Sequence, residues 1–552
     1  MTQARAFQTL KLQAAQMRKP GNHLRTLWEQ APSIRKGMAV STKYAFFDYG
    51  FQRVTPSMML SAHALANEMG LPEHIAARFG GEIVNRTEKR AVGHHALRAE
   101  ANEPFIVSGE DQMPYVQNEL GRLEEFSERL ISGYWKGVTG KPIKTIVSIG
   151  IGGSKYGPEV TYLALRDQSK TGITARFVSN VDPANLSQVM REIDPETTLI
   201  VVESKTFTTA ETVEANAESA KAIMIEMLRK HASPEEIVRK HFVAVSTATE
   251  LVQKFGIAPE NMFPFKDWVG GRFSVWSAIG GAVLGPTLGF NNFKQFLAGA
   301  RWADHQYLTA PFDQNISVLM AEISIINRVL MGWQSLVMGP YSHPLRDSIY
   351  YLTQGIMESL GKGVDIYGRE LDFVACSVIM GDAGSDAQHS FFQYLHQIMQ
   401  NGIVPVEFVA FMNALPEDDL PIINRNLSQQ DRLFANLLGQ RSGLAFGEEN
   451  IKEPHRNFPG NRPSSLLVFN ERSPFTVGAF FAFMENRIDA EGAIQLVAPY
   501  DQWGVEKGKK AATEIEAAME AANIRGISAA DLSRFDESTR RLIEARLGRR
   551  IP

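Results

Sequence analysis

Two α/β sandwich domains with mostly parallel sheets, flanked by N- and C-terminal helical arms, are what this sequence predicts, and three observations carry the prediction. Short β-branched runs at residues 146–151, 175–178, 198–202 and 241–245 alternate with amphipathic helical stretches, the pattern of a parallel sheet with helical crossovers. A second series at 335–338, 404–411 and 465–469, separated by long helices, follows a glycine-rich segment near residue 280. At 552 residues the chain is longer than one ordinary core accommodates, so two or three domains are expected.

The first 135 residues read as helical, with polar breaks at Pro20-Gly21 and Gly80-Gly81. No acidic residue precedes Glu29, a bias shared with organellar leaders. Phe7, Leu10, Ala14 and Met17 nevertheless form a narrow apolar stripe, which predicts a surface helix docked on the fold. The span 273–293 is free of charge and long enough to cross a bilayer. Its glycines, Pro286, Ser274, Ser277 and the Asn291-Asn292 pair favour a helix inside a large core instead. Helices are expected again at 511–522 and 529–547. The 44% hydrophobic and 21% charged content suits a globular enzyme, and a net charge of -4 argues against a nucleic-acid surface. The single cysteine, Cys376, lies in an apolar run and is read as a core residue, which excludes a disulfide framework or a cysteine metal site. The expected location is cytoplasmic, with no membrane contact.

Chemistry concentrates first at residues 199–211. The apolar run Ile200-Val201-Val202 empties into a turn carrying Ser204, Lys205, Thr206, Thr208 and Thr209, and a helical pattern follows at once. Thr208 as N-cap with Glu211 three residues on has the spacing of a capping box. Val213, Ala217, Ala220, Met224 and Met227 then recur at helical spacing. Hydroxyls, an ammonium and free N–H groups at a helix N-terminus suit a phosphate; the plainer reading is a turn whose threonines merely cap. The turn after the first sheet strand, Gly150-Ile151-Gly152-Gly153-Ser154, lets a ligand approach the backbone. A dinucleotide fingerprint fails there because Lys155 stands where its third glycine belongs. A nucleotide P-loop fails at 355–362, where Gly363 replaces the hydroxyl. Two turns thus meet at the carboxyl edge of one sheet, where α/β proteins bind ligands, and the outcome is a site for a small phosphorylated metabolite.

Ionisable candidates lie further on. Gln354 and Glu358 share a helix face at i,i+4. Glu358 sits among Ile356, Met357 and Leu360, where desolvation would suit a general base; a helical glutamate can equally be a solvated surface residue. His389 opens an apolar helix over 389–399, as a catalyst or merely a cap. Arg272 follows Gly270-Gly271 and can meet an anion or a structural partner. Lys509, alone, reads as a surface lysine.

Together these segments closely resemble the glucose-6-phosphate isomerase (phosphoglucose isomerase) family. The matching stretches are Gly150 to Ser154, Ser204-Lys205-Thr206-Phe207-Thr208-Thr209, Val269-Gly270-Gly271-Arg272-Phe273-Ser274, Gln388-His389, residues 455–464 and residues 501–509. The resemblance implies two sugar-isomerase (SIS-type) α/β/α domains: 121–285, smaller and carrying the phosphate turn, and 286–510, larger and carrying the base. Residues 1–120 would pack on the larger domain, and 511–552 would form the C-terminal arm. It further implies that Ser204, Lys205, Thr206 and Thr209 hold the phosphate of a hexose 6-phosphate, with Gly153 and Ser154 nearby. Glu358 would move the proton between the first two carbons, and Arg272, with Gly271 beside it, would stabilise the developing charge. His389, from the partner subunit of a homodimer, and Lys509 would open the ring, while Gln354 and Gln502 contact the sugar. No metal or organic cofactor is implied. The chain departs from the family at Thr353, Ile356 and Leu360 around the base, and at Lys155 and Lys507, which leaves activity on mannose 6-phosphate open. A non-catalytic sugar-phosphate regulator on the same fold is the alternative, although it would need the phosphate turn and no base.

Overall fold

The computed structural model describes residues 1–399, 402–526, 532–549 and 551. Residues 1–500 pack as one unit and residues 501–552 as another. In chain order the strands are β1 (Ala39–Ser41), β2 (Ala45–Phe51), β3 (Ile106–Val107), β4 (Glu110–Asp111), β5 (Thr145–Ile149), β6 (Thr174–Val178), β7 (Thr198–Glu203), β8 (Phe242–Val245) and β9 (Met262–Phe263). They continue with β10 (Ser335–Tyr341), β11 (Val378–Gly381), β12 (Val406–Asn413) and β13 (Ser464–Glu471).

The first sheet, ordered β6-β5-β7-β8-β9, is parallel throughout. Every residue of β7 and β8 is buried, which follows from helices covering both faces and explains their unbroken apolar runs. The span thought able to cross a bilayer becomes a tight turn, Gly271–Trp276, and a wholly buried helix, Ala278–Leu288. No helix among the described residues is long and apolar enough to cross a membrane.

The second sheet is ordered β1-β2-β13-β12-β10-β11. Strands β10 to β13 run parallel, and β2 adds to β13 antiparallel. Behind this sheet runs the helix Pro474–Gln495, buried along almost its whole length. It packs against Phe290–Thr309 backbone to backbone: a Cβ on Gly478 would lie 2.0 Å from the Phe296 carbonyl oxygen. Its buried charges are paired. Glu485 meets Arg98, Asp489 meets Arg78, and Arg487 meets Glu407 and Glu491.

The N-terminal region corrects the all-helical expectation. The docked helix exists, Arg5–Met17, with Phe7, Leu10, Ala14 and Met17 buried. Four strands follow it, and β2 completes the second sheet by burying alternate residues, Ala45, Phe47 and Tyr49. Strands β9 and β11 were also unforeseen. Cys376 stands at the margin of the core; its thiol donates to the Ser377 carbonyl at 3.2 Å, and burial pushes its pKa up to about 12. In the second unit the expected helix at 511–522 lies within Glu506–Arg525. The one expected at 529–547 is seen as Glu537–Leu547, residues 529–531 lying outside the described residues.

Candidate active site

Neighbouring parallel strands β5 and β7, in register at Ile149 and Val202, release the two predicted turns at the same sheet edge. Glu203, the last residue of β7, is buried there, and burial raises its pKa well above the usual carboxylate range. The Ser148 hydroxyl donates to it at 3.1 Å, tying the roots of both turns together. Gly152, at φ +60°, adopts a backbone conformation that L side chains rarely adopt and starts the helix Gly153–Leu165.

The turn after β7 gathers its hydroxyls in pairs, Ser204 with Thr209 at 3.1 Å and Thr206 with Thr208 at 2.7 Å. The capping box does not form. The N-cap is Thr209, no side chain caps the helix, and the first turns, Ala210–Ala217, are π-wound before an α-helix at Glu218–Leu228. The Thr208 hydroxyl pairs with that of Thr206 instead, and the backbone is redirected at Phe207. That residue has left-handed φ (53°) and a buried ring set edge-on to Phe255. A non-glycine residue in this region stores strain that the surrounding packing must hold. Val213, Ala217, Ala220 and Met224 are buried as predicted, whereas Met227 is exposed.

Lys205 meets backbone groups of the chain. Its ammonium donates to the carbonyls of Asp267 (3.1 Å) and Val269 (3.5 Å). Burial, with the Arg90 guanidinium adding to it, pushes its pKa down to about 8.

The turn at Gly271–Trp276 lies against the turn after β5. A Cβ on Gly153 would sit 1.8 Å from the Gly271 carbonyl oxygen and 2.7 Å from the Arg272 nitrogen, so only glycine permits this approach. Arg272 is buried. Its Nε donates to the Ser359 hydroxyl at 2.7 Å and one terminal nitrogen to the Pro499 carbonyl at 2.5 Å, while the other lies 3.3 Å from Glu358 Oε2. Gln354 donates to the same carboxylate oxygen at 3.2 Å. Its own carbonyl oxygen is buried without a hydrogen-bond partner, and its amide lies 3.0 Å from where a Gly152 Cβ would stand. The expected plain helix is π-wound over Gln354–Glu358 after an α-helical Ser348–Thr353. The dry setting expected for Glu358 holds on one side only: Ile356 and Leu360 are buried, but the carboxylate side chain is 24% exposed against 3% for Arg272.

Gly153, Gly271, Arg272, Gln354 and Glu358 therefore converge, and Ser154 opens the helix beside them. His389 does not join them within one chain. Rather than opening a helix over 389–399, it ends the short helix Gly384–Gln388, and a separate helix, Phe392–Gln397, follows. The chain bends between the two, leaving His389 exposed. Gln502 and Lys509 belong to the second unit, Gln502 ahead of the turn Trp503–Val505 and Lys509 exposed on Glu506–Arg525. Glu203, Phe207 and Ser359 were missed. The carboxylate directly before the hydroxyl-rich turn was the one available signal among them.

Two mostly parallel sheets, a paired-hydroxyl turn at a sheet edge and a guanidinium facing a carboxylate suit an α/β protein that handles phosphorylated sugars. The pattern of the phosphoglucose isomerase family matches residues 48–543. The glucose-6-phosphate isomerase of Nitrosospira multiformis is 40% identical over 534 residues, covering 95% of this chain and 94% of its own. That of Deinococcus deserti is 41% identical over 503 residues, covering 89% and 90%. Among solved structures, a glucose-6-phosphate isomerase from Chlamydia trachomatis superimposes with a TM-score of 0.83 at 32% identity, covering 94% of this chain and 96% of that one. The chain belongs to the phosphoglucose isomerase family.

Proposed function

We propose that the protein interconverts glucose 6-phosphate and fructose 6-phosphate through an open-chain sugar and a cis-enediol(ate). The observation that carries this reading is the Arg272 guanidinium 3.3 Å from the Glu358 carboxylate, beside a glycine turn with room for a ligand: a Cβ on Gly271 would meet nothing within 4 Å. Glu358 takes the proton from the second carbon, and the electron pair forms the C1–C2 double bond as charge moves onto the carbonyl oxygen. Arg272 faces that charge, a role of the oxyanion-hole type. A proton passes from the oxygen on the second carbon to the oxygen on the first, and Glu358 returns its proton to the first carbon as the carbonyl re-forms at the second. Ser204, Thr206 and Thr209 hold the phosphate, which fixes the reacting carbons against the base without changing during the chemistry. Gln354 and Gln502 orient the hydroxyls of the chain. Ring opening falls to Lys509 and to His389, the latter supplied across a homodimer interface, consistent with its exposure on the single chain. The reading places the enzyme in the cytoplasm.

The test is a coupled assay of fructose 6-phosphate conversion with wild type and Glu358→Gln side by side. Loss of a positioned general base is expected to lower kcat by about 10²- to 10⁴-fold. A wild type that binds sugar phosphates and converts none would establish the non-catalytic regulator instead.

A further inference from the structure

We infer that Lys205 is a positioning residue: it straps the phosphate turn to the turn bearing Arg272, so that occupation of the phosphate site sets where Arg272 stands. The inference rests on the function proposed above and gives Lys205 a part in it other than the phosphate contact that the family resemblance implies.

A lysine that serves a phosphate as a point charge should turn its ammonium toward the mouth of the turn. Here both ends of the residue are fixed to protein. Its backbone carbonyl accepts from the Ser246 hydroxyl (3.1 Å) and from the Thr247 nitrogen (2.9 Å) and hydroxyl (2.7 Å) just beyond β8. Its ammonium donates to the Asp267 and Val269 carbonyls, with the Phe265 ring 5.9 Å away. The Asp267 carbonyl also accepts from Arg90 at 3.0 Å. Lys205 is half-buried, and the two carbonyls offset the hydration its ammonium gives up.

Val269 leads through Gly270 and Gly271 directly to Arg272. Those two glycines have no side chains with which to hold the turn. Gly271 is bounded by Gly153 on one side and is open on the other, its carbonyl accepts from the Ser274 hydroxyl at 2.6 Å within the turn, and the turn is further braced from outside. Gly153 braces it from the turn after β5, and Lys205 from the turn after β7. A shift of the phosphate turn on binding therefore pulls on the segment that carries the guanidinium.

Lys205→Met keeps most of the stem and deletes the donors. Expected is a fall in kcat of about tenfold or more, while competitive inhibition by inorganic phosphate stays within about threefold of wild type. In an Arg272→Lys background the same change should cost less than about threefold, because both act through one guanidinium. An unchanged kcat with weakened phosphate inhibition, or full additivity with Arg272→Lys, would overturn the strap. A readout independent of turnover separates this from the functional reading. Inorganic phosphate should shift the fluorescence of Trp268, isolated by difference against Trp268→Phe, in wild type and not in Lys205→Met. A wild type without turnover that still shows this response would remove the functional reading and leave the strap standing; absence of the response in wild type would remove the strap.

Discussion

Gly153→Ala is the sharpest probe of the contact between the two glycine turns. The added carbon would lie 1.8 Å from the Gly271 carbonyl oxygen, 2.3 Å from its carbon and 2.7 Å from the Arg272 nitrogen, and real side-chain carbons essentially never come within 3.0 Å of another atom. Both obstacles are backbone, so no side chain can swing aside, and one main chain must retreat by the difference, about 1.2 Å. Arg272 is carried by that main chain. A misplacement of about 1 Å in a catalytic constellation can cost 10²-fold in rate, or ~2.7 kcal/mol of transition-state stabilisation. Overpacking should cost about 1–3 kcal/mol of stability, which a protein of this size can bear while remaining folded at assay temperature. The measurement is kcat/KM for fructose 6-phosphate beside a urea unfolding midpoint. Gly271→Ala serves as the control for stability, since its Cβ would meet nothing within 4 Å. A Gly153→Ala enzyme that keeps kcat/KM within about threefold of wild type would refute the claim that this contact sets the position of Arg272.

Two further outcomes follow from burial. His95 and His94 are held neutral, His95 with its pKa pushed down to about 3 and His94 lowered well below its ordinary value, by burial first and the Arg78 guanidinium second. An unfolded histidine protonates near pH 6.5, so for His95 the unfolded chain binds more protons between about pH 3 and 6.5, and stability is lost as pH falls through that window by roughly 1.4 kcal/mol per unit, with His94 acting in the same direction. Urea midpoints from pH 7 to pH 5 should fall steeply in wild type and less steeply in His95→Gln. Cys376, whose thiol pKa burial pushes up to about 12, should resist a disulfide reagent at pH 8 in the native protein and react at once in denaturant; rapid native labelling would contradict its placement.

The first sheet was legible because strands buried on both faces must be apolar throughout, so 198–202 and 241–245 declared themselves. Strand β2 escaped because its signal is alternation, Ala45, Phe47 and Tyr49 inward, within a region dominated by helical patterns. The site's residue types were legible from their order along the chain. Their local geometry was not. A π-wound turn such as Gln354–Glu358 differs from an α-helix by one hydrogen-bond step that no side chain announces. The direction of the Lys205 ammonium depends on two carbonyls more than sixty residues away, and the bend at His389 on packing between two short helices. Phe207 reads as an apolar residue among hydroxyls, and only tertiary structure shows that its burial turns the backbone left-handed.

The pairing of β2 with β13 also has a consequence in time. Phe47 stands opposite Leu467 in the second sheet, about 420 residues later in synthesis. At about 5–20 residues per second, the nascent strand waits roughly 20–80 s for its partner. During that interval Phe47 and Tyr49, both buried in the finished sheet, have no sheet to join, and the strand's hydrogen-bonding edge is open. The order of translation thus makes the first fifty residues, remote from the chemistry, the part of the chain longest exposed to chaperones and to mispairing.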